Sequence, residues 1–178
     1  MSAVISNKTT SQAEKILVAI DSDGNSAATI DYVGRVAAGN NKLTLCLYNR
    51  IPGLPPELRE HGGSEDPDRE QALGDILSKQ VNAWRGQKQA EAHPVLEAAQ
   101  HRLMAAGVSK DAIKLESSWD ASMGESLAEA LTRVARKKGC QTIAIGRQPL
   151  SGLHELIHHH TSDALLHAGT GLALWIVE

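Results

Sequence analysis

Side chains able to do chemistry concentrate in one stretch, Gln141 to Leu166, QTIAIGRQPLSGLHELIHHHTSDALL. Within it, His154-Glu155-Leu156-Ile157-His158 spells H-E-x-x-H. On a helix, two histidines four residues apart share a face, where they can hold zinc with the glutamate as general base. The third ligand would have to be Asp163 or His167. Residues 154–160 contain four histidines, however, so the spacing arises readily by chance. The reading is therefore no metal site and no catalytic residue, with a metal-dependent enzyme using the His154–His160 cluster kept as an alternative. The same stretch offers a second chemistry. Thr142 to Ile145 is a β-branched apolar run stopped by Gly146, and Arg147 to Gly152 with Pro149 is a loop. Apolar residues then return at helical spacing at Leu153, Leu156, Ile157, Ala164 and Leu165. A strand that leads through a glycine-containing loop to a helix presents backbone N–H groups and a positive dipole end to an anion. His159 and His160, when protonated, would add donors there. Ordinary exposed polar residues are their competing reading.

Elsewhere the chain carries no nucleophile–histidine–acid arrangement, no phosphate-loop signature, no CxxC pair and no paired-carboxylate motif. Asp120 and Ser122 read as caps for the helix that follows them. Cys46 and Cys140 fall in or beside apolar strands and read as small core residues.

The elements that would position these groups follow from periodicity. Lys15 to Ile20 is a nearly continuous apolar run, as a parallel strand buried on both faces requires, and it ends in the turn Asp21 to Ser26. Ala27, Ile30, Val33, Val36 and Ala37 predict a helix closed by Gly39. Leu43 to Tyr48 is a second strand. Residues 50–68 hold four prolines and three glycines and read as a long flexible loop. A helical pattern runs from Arg69 to Ala106; Pro94 predicts a break or kink in it and Gly86 weakens it further, giving two helical pieces or one insertion plus one helix. Ala112 to Ser117 reads as a third strand, Met123 to Lys138 as a helix and Leu172 to Val177 as a last strand. Residues 1–12, polar and aperiodic, read as a disordered tail, leaving 13–178 as one domain. Alternating strands and helices imply a parallel five-stranded sheet with helices on both faces. Ligands of such sheets bind beyond the carboxyl ends of the strands, which brings Asp21, Tyr48 and Gly146 to one crevice.

Composition narrows the partners. A net charge of -3 without a dense Lys/Arg run speaks against nucleic acid. No apolar run nears the roughly 20 residues of a membrane span, and the polar first residues lack a signal-peptide pattern. The expectation is a soluble, cytoplasmic protein.

The segments KILVAID, LTLCLY, ESLAEALTRVARKKGCQTIAIG and SGLHELIHHHTSDALLHAGTGLALWIV resemble the universal stress protein family, over about Lys15 to Val177. The resemblance implies an α/β, flavodoxin-like, adenine nucleotide alpha hydrolase-like sandwich with strand order 3-2-1-4-5, usually dimeric. Many members bind ATP through G-x2-G-x9-G-[ST] after the fourth strand, together with an Asp ending the first. Carried over, Asp21 matches that Asp and Gly146 the first glycine. The second glycine falls on Pro149, and the closing pair on His159 and His160. Asp21 is then either a ribose or base contact, or a residue that simply caps the first helix or shapes the turn.

The nucleotide-binding set read on this basis is Asp21, Ser22, Tyr48, Gly146, Arg147, Gly152, His159, His160 and Thr161. The departures predict weak or absent binding of ATP or another adenine nucleotide. The whole reads as a regulatory module of stress adaptation, not an enzyme, that acts through a protein partner and through a homodimer formed by the edge strand Leu172 to Val177. An ATP-binding protein with a non-standard phosphate loop is the other alternative.

Overall fold

A computed structural model describes residues 14–21, 26–51, 53–59, 63, 65–119, 124–146, 161–168 and 171–178. Five strands, β1 (Glu14–Ile20), β2 (Leu43–Ile51), β3 (Ile113–Trp119), β4 (Thr142–Gly146) and β5 (Ala173–Val177), form one parallel sheet in the order β3-β2-β1-β4-β5. The predicted order and the central place of the first strand are both met. Its apolar continuity has the expected cause: Ile16, Val18 and Ile20 face one layer and Leu17 the other, all buried.

Four helices cover the two faces. On one side α1 (Ala27–Ala37) and α2 (Pro67–Ala105) close over Ile16, Val18, Leu45 and Leu47 with Ile30, Val33, Leu96 and Leu103. On the other, α3 (Leu127–Lys138) and α4 (Thr161–His167) close over Leu17, Tyr48 and Ile143 with Leu131, Val134 and Leu165. Each fully buried Leu, Ile or Val contributes about 1.5–3 kcal/mol, so these two layers hold the sheet from both sides. Cys46 and Cys140 are free, buried and part of the second layer, the packing role read from the sequence. Gly34 lets α1 approach the end of α2, since a Cβ there would lie 2.9 Å from that of Ala106.

α3 carries its own limits. Ser126 accepts from Glu129 N and the Glu129 carboxylate accepts from Ser126 N, a reciprocal cap, and Gly139 closes the helix at φ 67°.

Several elements begin or end a few residues from the sequence reading, among them α2 at Pro67 and β3 at Trp119, and three differences stand out. Arg50 and Ile51, read as the start of the loop, continue β2, because β3 pairs with it as far as Ile51↔Trp119. The same segment also holds a 3-10 turn, Pro56–Leu58. Third, α2 runs unbroken through Pro94. Pro94 and Ala90, whose carbonyl loses its partner, are both exposed, so the freed group is open to solvent. Beyond it, buried Leu96, Ala99 and Leu103 anchor the helix on the sheet. Among the described residues no helix is long and apolar enough to cross a membrane. Residues 1–12 lie outside the described set.

Candidate functional site

The carboxyl ends of the strands meet where the order reverses around β1. There Asp21 follows Ile20 directly, and it closes the turn into α1. Ser26 N and Ser26 Oγ donate to Asp21 Oδ1 at 3.2 and 3.1 Å, and Asp21 N donates to Ser26 Oγ at 3.3 Å. Ser26 is 5% exposed while Asp21 is open to solvent. These hydrogen bonds join Asp21 to Ser26, the residue that precedes α1, while its carboxylate remains open to solvent. Asn49, buried, donates from Nδ2 to Ile20 O at 2.9 Å and ties β2 to the same corner.

A hollow of about 290 Å³ opens beside Asp21, between α1 and α2, walled by Ile20, Ile30 and Val95 with Ser26 and Arg102 at its rim. It lies at the small end of ligand pockets. Arg102 reaches Asp31 with Nε and Nη2, at 2.5 and 2.6 Å, and these hydrogen bonds hold the Asp31 carboxyl below its usual range. The rim therefore presents one carboxylate and an arginine whose charge is neutralised by Asp31, over an apolar floor. That combination suits a small, partly apolar molecule.

Tyr48 sits below the crevice, in the layer under α3, with its ring buried and its hydroxyl 2.9 Å from Ser118 Oγ. Burial pushes its pKa up, against the opposing hydrogen bond to Ser118. Two residues on, Arg50 reaches Glu125 O through Nη2, and Arg133 holds the Glu125 carboxylate through Nε and Nη2 at 2.7 and 3.0 Å. The Glu125 side chain is only 7% exposed. The sequence reading missed this Tyr48–Ser118–Arg50–Glu125–Arg133 group. The alternation Cys46, Tyr48, Arg50 on one face of β2 was its available signal, hidden because the strand was ended at Tyr48.

Gly146 ends β4, half-buried, opposite Val177. Thr161 opens α4, and the next residue, Ser162, is buried with its Oγ unpaired among the described residues. Asp21, Tyr48, Gly146 and Thr161 thus have described positions at or below the carboxyl end of the sheet. Ser22, Arg147, Gly152, His159 and His160 lie outside the described residues, as do Pro149, His154, His158, Asp120 and Ser122. Among the described residues no group of three His, Cys, Asp or Glu could hold a metal. His167, one candidate third ligand, is exposed, its Nδ1 2.7 Å from Asp163 O.

No protein-family model matches the sequence, and no curated protein does. Solved structures do match in shape. A protein from the universal stress protein family of Burkholderia pseudomallei is 22% identical, covering 94% of this chain and 97% of its own, with a TM-score of 0.55. A universal stress protein in complex with cAMP is 17% identical over 94% of this chain and 98% of its own, with a TM-score of 0.58. The universal stress protein from Archaeoglobus fulgidus is 14% identical over 93% of each chain, with a TM-score of 0.55. Parallel order, layer arrangement and near-complete coverage agree, and the chain has the universal stress protein fold.

Proposed function

We propose that this chain is a cytoplasmic, universal-stress-protein-like regulatory module, one domain over residues 13–178. In this reading it binds adenine nucleotide no tighter than about 100 μM, a limit set by the affinity arithmetic below, and acts through self-association and a protein partner. The observation that carries the reading is the state of Asp21. The one acidic group that matches the family's nucleotide contact is already engaged by Ser26, in the turn it shapes. The cAMP complex of a neighbour with this fold supports an adenine nucleotide as the ligand class.

The phosphate end is where the sequence departs most. Pro149 lacks the N–H that a glycine would offer, and His159 and His160 add bulk where bare backbone would approach a phosphate. Each charge-assisted hydrogen bond lost costs about 1.5–3 kcal/mol, roughly tenfold to hundredfold in affinity. Two such losses carry a micromolar site toward the millimolar range. Self-association follows from the outer edge of the sheet. β5 ends the order with Leu174, Trp175, Ile176 and Val177 only half-buried, and a two-fold axis lets that strand cover itself.

Calorimetric titration with ATP and magnesium tests the nucleotide part. The native chain is expected to show no binding tighter than about 100 μM. The triple variant Pro149→Gly, His159→Gly, His160→Ser is expected to bind more tightly. Micromolar binding by the native chain would refute the reading.

A further inference from the structure

The first part of α2 has no place in the globular body. The helix is 39 residues long, about 58 Å, against strands of at most nine residues and about 30 Å. Its buried residues are Ala92, Leu96, Ala99 and Leu103, and residues 67–91 include none. That part runs past the carboxyl ends of the strands. Its base is pinned by Trp84, whose ring lies 5.7 Å from that of Trp119, the last residue of β3. The 3-10 turn Pro56–Leu58 lies against one flank. A helical segment with Gly74 and Gly86 in it and, among the described residues, no buried side chain is marginal in water on its own.

Its side chains carry two patterns. Leu73, Leu77, Val81 and Trp84 recur every three or four residues and are half-buried, while Ile76 beside them is 53% exposed. Charge is segregated along the axis. Glu65, Asp66, Asp68, Glu70 and Asp75 against the single Arg69 make the beginning acidic, and Lys79, Arg85 and Lys88 make residues 79–88 basic, Lys88 also meeting Glu91 of its own helix at 2.7 Å.

We propose that this overhang of α2 pairs antiparallel with the same segment of a second copy of the chain, in a two-fold contact separate from the β5 edge. An axis at Ile76 and Leu77 sets the acidic beginning of each helix against the basic part of the other. The same axis places Leu73 level with Val81 of the second copy and Ile76 beside its own counterpart. Parallel pairing would instead set like charges against each other, which fixes the antiparallel sense. Because both self-contacts are isologous, a chain using both assembles beyond a dimer.

Sedimentation velocity on the full chain tests this, with Ile176→Lys removing the edge contact and Trp175→Asp replacing it should that variant misfold. The edge variant is expected to remain a dimer in about 0.05 M salt and to dissociate at about 0.5 M, where screening is several times shorter in range. Adding Ile76→Asp is expected to give a monomer with unchanged helicity by circular dichroism. In the same background, Glu65→Lys with Glu70→Lys, and separately Arg85→Glu with Lys88→Glu, are each expected to be monomeric. Mixing these two one-to-one is expected to restore a dimer, because each then meets its opposite charge. An edge variant that is monomeric at every concentration would overturn the proposal, as would a mixture that stays monomeric. A fall in melting temperature on Ile76→Asp with no change in mass would also overturn it, since the face would then be covered within its own chain. If Ile176→Lys leaves the native mass unchanged and Ile76→Asp alone yields monomers, the α2 contact stands and the edge-strand contact fails.

Discussion

Ser26 is the residue on which the crevice turns. Its hydroxyl both donates to the Asp21 carboxylate and accepts from Asp21 N, so removing it frees Asp21 N and leaves Asp21 Oδ1 with the Ser26 N–H as its remaining donor there. Ser26→Ala is expected to cost about 1 kcal/mol, measured by urea denaturation, with little change in the fold. A neutral result would mean that the turn is held from elsewhere. Glu129 gives a pH signature of its own. Hydrogen bonds from the Ser126 backbone and then from its side chain lower its pKa below the ordinary 4.5. A carboxyl lowered on folding stabilises fully above its unfolded value, and that contribution disappears as the pH falls through the lowered one. The melting-temperature gap between the native chain and Glu129→Ala is therefore expected to be constant from pH 7 to about 5 and to narrow below 4.5. A gap that widens on acidification would contradict the cap.

At the scale of elements, most of the architecture was legible because each strand declares itself. Ile16, Leu17 and Val18 are buried on alternating faces, so the run between Lys15 and Ile20 had to be apolar throughout. α3 was readable from Leu131, Val134 and Ala135 on one face and from Gly139 at its end. Pro94 misled, because the rule against proline concerns the hydrogen bond it removes, and here that loss faces water while Leu96 and Leu103 hold the helix in place. Pro94→Ala restores the bond to Ala90 O without disturbing those contacts. It is expected to raise stability by about 1–3 kcal/mol in thermal or denaturant unfolding. Destabilisation instead would mean that the proline sets a bend the packing requires. Long-range groupings were the hardest to read. The β2–β3 register sets Arg50 beside Ser118, while Glu125 comes from the segment before α3 and Arg133 from α3 itself, so no single pattern in the sequence displays the group.

For the whole molecule, the sheet order and its crevice could be read from the sequence, whereas the ligand could not. The fold brings the residue after β1, the end of β4 and the start of α4 to one end of the sheet, and the chemistry there depends on which residues occupy those places. After β4 this sequence has Pro149, His159 and His160 where the family's motif has glycines and a hydroxyl residue, and the proposed reading is a scaffold without a tight phosphate grip. Native mass spectrometry of protein purified without a tag reports oligomer, nucleotide and metal in one spectrum. The account predicts an even-numbered assembly with no adenine nucleotide retained and far less than one zinc per chain. A monomer, or a chain carrying stoichiometric ATP through purification, would contradict it.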